Sequence, residues 1–375
     1  MGKNGGRIIT ILLAGCLIAV ALPRTVDLNQ LVAASETSIT TTNSNLQQTL
    51  LDAMAERTEE LDFTYRGNVK DLKQQLQISI DAAMKSDPYI QYTVKSYAFN
   101  YKGSNITANV HVKLTYRETK EQTEYVNRKA TEVLDRIIEP GMTDHEKVKA
   151  IHDWIVLHLS YDTTLQKYTA YDGLVTGSTV CQGYTLLAYR MLEQAGIKNR
   201  IVEGTAGEQL HAWNLVNLDG KWYHLDTTWD DPTPDRKGKV SHRYYLLSDD
   251  EMARDHIWTN NNNYPAAPEP YRQALFNLAQ SDGGKAETYR KLYHSLEYSL
   301  YDEKDAISSD KALLEKVQNV LKEGSTTLTF RYKGTEEGLV EDLQDLYQLG
   351  MKTISYYISK MEDTADLRVR INWTL

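Results

Sequence analysis

The stretch LHAWNLVNLDGKWYHLDTTWDDP (Leu210–Pro232) leaves the chain little conformational choice. Apolar and polar residues alternate on either side of Asp219-Gly220, and Asp-Gly is among the strongest short signals for a two-residue hairpin turn, since both positions need positive φ. With Asp219 and Gly220 as the loop, Leu218 pairs with Lys221. The same register sets Trp213 opposite Asp226 and His211 opposite Thr228. Cross-strand partners share a face, and so do alternate residues. His211, Trp213, Asp226 and Thr228 therefore project from one side, with His211 and Asp226 as diagonal neighbours within side-chain reach. A carboxylate that near an imidazole fixes its tautomer and stabilises its protonated form.

Upstream, STVCQGY (Ser178–Tyr184) holds the only cysteine outside the extreme N-terminus. Tyr184, Leu187, Ala188, Met191, Leu192 and Ala195 make the stripe of a helix with one buried face, and Gly196 ends it. Ser178 or Thr179 is the expected N-cap, which puts Cys181 in the first turn. Backbone N–H groups and the positive end of the helix dipole favour a thiolate there, and the same N–H groups suit an oxyanion. A cysteine used for packing belongs in the stripe. This one precedes it. Spacing alone does not say whether the thiol meets the His–Asp pair.

The blocks STVCQGYTLLAYRMLEQAGI and HAWNLVNLDGKWYHLDTTWDDP resemble the catalytic blocks of the bacterial transglutaminase-like superfamily. EKVKAIHDWIVLHLSYD (Glu146–Asp162) and RYYLLSDDEMARDHIW (Arg243–Trp258) resemble its flanking blocks, so the resemblance runs from about residue 124 to 260. It implies an α+β, papain-like transglutaminase core, with a nucleophile helix packed on an antiparallel sheet. Cys181 is then the nucleophile, His211 the base and Asp226 the orienting acid, with no cofactor and no metal. The implied reaction is attack on a protein or peptide amide through a thioester. An amine resolves the thioester into a cross-link; water resolves it into deamidation or proteolysis. The superfamily holds transferases, proteases and peptide glycanases, so transfer and hydrolysis both stay open. A cell-envelope binding or scaffold protein with an idle catalytic domain is the alternative of another class.

Other residues compete for roles. His224 shares a strand face with Asp226 and is the rival base. His152 and His158 fall on the upstream helix and read as packing or surface residues. Trp213, Trp222 and Trp229 are candidates for lining a substrate cleft, with Trp213 and Trp229 foremost, and core packing is the alternative for each. Asp230, Asp231 and Asp235 lack the ligand spacing of a calcium loop and read as a solvated turn.

Two copies of one pattern flank the central segment. LDFTYRG (Leu61–Gly67) and LTFRYKG (Leu328–Gly334) align at an offset of 267, and ITANVHVKLTY (Ile106–Tyr116) aligns with ADLRVRINWTL (Ala365–Leu375) at 259. Apolar spacing in each suggests helix, strand, helix and two strands. These are two related small α+β (βαββ) modules. The expected domains are an N-terminal module at 35–118, a catalytic domain at 119–272, and a helical segment with the second module at 273–375. Ser35–Ser44 reads as a flexible leader, and TNNNNYPAAPEP (Thr259–Pro270) as a linker.

Lys3 and Arg7 before the apolar run Ile8–Leu22 mark residues 1–34 as a signal peptide or N-terminal anchor, hence an exported, secreted or envelope-associated protein. The membrane is then touched only through that segment, and a cell-wall or envelope partner is the expected company. Cys16 would leave with a cleaved leader, and a thiol redox protein, which normally needs a second cysteine nearby, is set aside. The formal charge of −9 argues against nucleic acid as a partner.

Overall fold

A computed structural model describes residues 39–231, 238–259, 264–281, 283–361 and 364–375. The leader at 1–34 and Asp235 lie outside the described residues. Among the described residues, no helix is long and apolar enough to cross a membrane. The chain divides into two compact units, Met1–Tyr271 and Arg272–Leu375.

The first unit opens with β1 (Ile39–Thr42), α1 (Leu46–Ala55), β2 (Glu60–Arg66), α2 (Leu72–Ser86), α3 (Pro88–Thr93), β3 (Val94–Gly103) and β4 (Thr107–Tyr116). The sheet order is β1-β2-β4-β3, with β1 parallel to β2. Part of the expected flexible leader is therefore a strand. Its alternate residue Thr41 is buried, and four residues of register on β2 satisfy its backbone groups. Leu46, Leu50 and Met54 of α1, Leu72, Leu76 and Ile80 of α2, and Val110, Val112 and Leu114 of β4 share one core.

The central part follows with α4 (Lys120–Ile137), α5 (Asp144–His158), β5 (Ser160–Tyr161), α6 (Ala170–Thr176), β6 (Ser178–Thr179), α7 (Cys181–Gln194), β7 (Asn199–Ala206), β8 (Gln209–Leu218), β9 (Lys221–Leu225), α8 (Asp249–Met252) and β10 (His256–Trp258). Three helices start alike. Thr119, Thr143 and Thr169 each cap the N–H three residues on, and Gln122, Glu146 and Asp172 reach back to close the capping box. The antiparallel sheet runs β10-β7-β8-β9.

α7 packs against α4, α5 and α6 and also against β7 and β8. The one-faced stripe expected for it is too narrow: the helix is enclosed on all sides, with every residue from Cys181 to Tyr189 buried. Thr185 Oγ1 donates to Ala212 O at 2.8 Å and Asn214 Nδ2 donates to Thr185 O at 3.2 Å, which locks the helix to β8. The opposite sheet face, carrying Val202, Trp213 and Leu215, is covered by Tyr244, Met252 and Ala267. Ala267 and Asp249 exchange two hydrogen bonds, so the described end of the expected linker is fastened down.

The second unit carries α9 (Tyr271–Ala279, its first residue in the first unit), α10 (Ala286–Ser295), α11 (Asp310–Lys322), β11 (Thr327–Tyr332), α12 (Glu336–Gln344), β12 (Thr353–Lys360) and β13 (Leu367–Thr374). Its sheet order, β11-β13-β12, repeats β2-β4-β3. The registers coincide as well: Leu61, Phe63 and Tyr65 face Val112, Val110 and Ala108, while Leu328, Phe330 and Tyr332 face Ile371, Val369 and Leu367. Those are the same offsets of 267 and 259, so the repeat extends to individual backbone pairs. Among the described residues, the second copy has a single parallel bridge from Ile307 to Tyr332 where the first has β1, and no α-helix between α12 and β12 where the first has α3.

Candidate active site

The hairpin forms in the expected register, with Leu218 paired to Lys221 and Asn214 to Leu225. Asp219 and Gly220 both take positive φ, at 52° and 82°. Pairing stops at Leu225, three positions short of the expected His211–Thr228 pair. The cause is Asp226 itself. Its Oδ1 accepts from Thr228 N at 2.9 Å and Trp229 N at 3.1 Å, which folds the chain into a turn and out of the sheet. His211 pairs instead with Gly204 of β7. A Cβ on Gly204 would lie 2.2 Å from Ile257 O and 2.8 Å from the Trp213 ring, so only glycine fits opposite His211.

His211 and Asp226 still meet. His211 Nε2 lies 2.6 Å from Asp226 Oδ2, both side chains buried. With Nε2 engaged, Nδ1 is the ring nitrogen left for proton transfer. Burial pushes the Asp226 carboxyl up, but the His211 and His256 imidazoles outweigh it and hold it well below the usual carboxylate range.

Cys181 and His211 line one cleft together with Tyr161, Ala206, Thr228 and Trp229. Cys181 is the first residue of α7, but neither Ser178 nor Thr179 caps it. They form β6, parallel to β5, and the N-cap is Val180 without a side-chain cap. Thr179 Oγ1 donates instead toward Lys167 O and Thr169 O. Gly183 allows this approach, since a Cβ there would meet Thr179 Oγ1 at 2.0 Å and Thr169 O at 2.7 Å.

Of the three tryptophan candidates, Trp229 lines the cleft and Trp213 and Trp222 do not. Trp213 is core, lying beneath the His211 ring at 5.7 Å between centroids. Its Nε1 donates to His224 Nδ1 at 2.8 Å, so His224 carries its proton on Nε2 and donates it to Asp249 Oδ1 at 2.9 Å. Burial, partly offset by Asp249, lowers the His224 pKa. The rival base is thus fully occupied away from the thiol. Trp222 lies beside Lys198 and Arg200 instead. His158 stacks on Trp154 as a surface residue, whereas His152 is buried between Asp153 and Asp230.

The turn after β9 is not solvated. Asp230 and Asp231 are buried, Asp230 accepting from Ser241 Oγ and Tyr244 N, and Asp231 from the Tyr184 hydroxyl.

Two contributors escaped the sequence reading. His256 Nε2 lies 3.1 Å from the same Asp226 Oδ2 that holds His211. Its one signal was the Asp255-His256 pair inside a block resembling the family. The second is Tyr92 of α3, buried near Glu203 and Cys181. Burial first, then Glu203, with smaller contributions from Tyr264 and Cys181, push its phenol well above the ordinary range. Gln182 Nε2 donates to Tyr92 O at 3.1 Å, so the N-terminal module reaches the residue beside the thiol. No spacing rule links positions 92 and 203.

Residues 131–227 match the model of the Transglutaminase-like superfamily. The central domain is transglutaminase-like. Kyphoscoliosis peptidase of Mus musculus is 29% identical over 182 residues, covering 43% of this chain and 27% of its own length. The Homo sapiens kyphoscoliosis peptidase matches with the same identity and coverage. This chain thus spans about a quarter of the length of those curated relatives. A crystal structure of a TGase is similar over 50% of this chain and 56% of its own, at 17% identity and a TM-score of 0.28. The transglutaminase-like core is the part that holds Cys181, His211 and Asp226, since the matched span includes all three.

Proposed function

We propose that this chain is a cysteine enzyme acting on amide bonds of protein or peptide substrates, with Cys181 as nucleophile, His211 as base and Asp226 as the acid that orients it. The observation carrying this reading is that Cys181 and His211 line one cleft while Asp226 Oδ2 stands 2.6 Å behind the imidazole. His211 Nδ1 takes the thiol proton as Sγ bonds to the substrate carbonyl carbon. The oxyanion forms at the N-terminal end of α7, which no side chain caps. As the C–N bond breaks, His211 returns the proton to the leaving amine and a thioester remains. A primary amine then gives transfer or cross-linking, and water gives hydrolysis. The name of the kyphoscoliosis peptidases favours hydrolysis as the second outcome to test.

The test is mass spectrometry of a glutamine- and lysine-rich protein incubated with a small primary amine and this chain, beside a Cys181→Ala variant. Amine adducts that need Cys181 identify a transferase. New chain termini or deamidation that need Cys181 identify a hydrolase. Modification persisting in Cys181→Ala would remove the nucleophile assignment. The basic and apolar leader extends the proposal to action outside the cytoplasm. Full-length, unprocessed chain found only in the cytosolic fraction would refute that extension.

A further inference from the structure

Asp226 receives two imidazoles on one oxygen. Oδ2 is 2.6 Å from His211 Nε2 and 3.1 Å from His256 Nε2, while Oδ1 is taken by the N–H groups of Thr228 and Trp229. His256 is itself suspended between two carboxylates, its Nδ1 lying 2.6 Å from Asp255 Oδ1. Asp255 Oδ2 in turn accepts from the Tyr244 hydroxyl at 2.6 Å. A neutral imidazole has one N–H and would turn a lone pair toward one of those carboxylates. The imidazolium, with two N–H groups, satisfies both.

We propose that His256 is a positioning residue that carries a positive charge against Asp226 and thereby limits how strongly Asp226 stabilises a protonated His211. The charge on Asp226 is then divided between two imidazolium partners whose rings stand 5.6 Å apart. His211 keeps its orientation from Asp226 but gives up its proton to the leaving amine more readily than it would with the carboxylate to itself. This deepens the proposed function and rests on it.

The surroundings suit a cation. Trp213, Trp229 and Tyr244 rings lie 5.1, 4.7 and 5.4 Å from the His256 ring. His224, a further titratable neighbour, is held by Trp213 and Asp249 and burial keeps it neutral, so it adds no opposing charge near pH 7. Burial works against a charged His256, but Asp226 and then Asp255 outweigh it and raise its pKa.

The experiment is the pH profile of Cys181 alkylation by iodoacetamide, a neutral reagent, in the full chain and in His256→Gln. Glutamine still offers an N–H to Asp226 and carries no charge. In His256→Gln the limb reporting loss of the His211 proton is expected to move upward by about one pH unit, the low end of what a neighbouring charge does. Asp255→Asn keeps the imidazole but removes the carboxylate that favours its charge, and is expected to move the same limb in the same direction by less. A fall in rate at every pH with an unmoved limb means His256 is only a packing residue, and overturns the proposal. An unmoved limb in a folded Asp255→Asn overturns it too, should His256→Gln not fold. If Cys181 shows no more than the pH dependence of an ordinary thiol in the unaltered chain, the functional reading falls and this proposal with it.

Discussion

Trp213 presents its ring face to His211 and its N–H to His224, so one buried side chain holds both imidazoles of β8 and β9 in place. Trp213→Phe keeps an aromatic ring under His211 and takes the donor from His224 Nδ1. A buried acceptor left without its hydrogen bond costs about 1–3 kcal/mol. The expected result is a loss of that size in urea denaturation, with Cys181 alkylation still measurable. An unchanged midpoint would show that His224 finds another donor at no cost. That His211 and Trp213 share a face was legible from period-two alternation, whereas Asp226 reaches His211 from the turn after β9. That Trp213 is core was not legible, because alternation says that a face is covered without saying by what. Here the cover is Tyr244, Met252 and Ala267.

At the scale of elements, α5 is tied to the segment after β9 by charge. His152 Nδ1 faces Asp153 Oδ1 at 2.9 Å and its Nε2 faces Asp230 Oδ2 at 3.0 Å, while His242 Nε2 reaches Asp153 Oδ1 at 2.8 Å. Burial opposes the charged imidazole, yet the two carboxylates raise the His152 pKa above its ordinary 6.5. Burial also opposes ionised Asp153, and the histidines hold it below the ordinary carboxylate range. A raised histidine pKa contributes stability that is fully present below 6.5 and fades as pH rises through the folded value. A depressed aspartate pKa contributes stability above 3.8 that fades as pH falls through its folded value. The Tm advantage of the unaltered protein over His152→Gln should therefore be widest near about pH 5 to 6 and shrink above 6.5. A constant advantage from about pH 5 to 9 would mean that folding leaves the His152 pKa unshifted, and an advantage that grows with pH would mean that His152 is buried neutral. The upstream helix itself was expected from the sequence, with His152 and His158 on it. The fate of His152 was not, since Asp230 is 78 residues away.

Across the whole first unit, the N-terminal module and the transglutaminase-like core are joined through buried polar groups. Glu118, 1% exposed, accepts from the Tyr89 hydroxyl at 2.8 Å, Thr123 Oγ1 at 3.2 Å and Tyr171 N at 3.3 Å. Arg190 of α7 lies 4.5 Å over the Tyr89 ring. Gln182 donates to the carbonyl of Tyr92, a few residues on from Tyr89 and buried near Glu203. Glu118→Ala leaves the Tyr89 hydroxyl buried without its acceptor, an expected loss of about 1–3 kcal/mol. Because the contacts run through both parts, the first unit should still unfold in one transition on chemical denaturation, and limited proteolysis should not release residues 39–118 before the core. Early release of that segment would show that the two parts fold independently.

Local chemistry settled what is local. Asp219-Gly220 set the hairpin register, threonine capping boxes placed three helix starts, and alternation repeated at offsets of 267 and 259 set matching strand pairs in two modules. In each case the determinants sit within a few residues of one another, or repeat the same short pattern. The meeting of Cys181 with His211, the second imidazole on Asp226, the burial of Asp230 and the approach of Tyr92 to Glu203 came from tertiary structure alone. Periodicity identifies a face that must be covered. Only the packing of α3, α7 and the β10-β7-β8-β9 sheet decides which distant side chain covers it, and so which charges share a carboxylate.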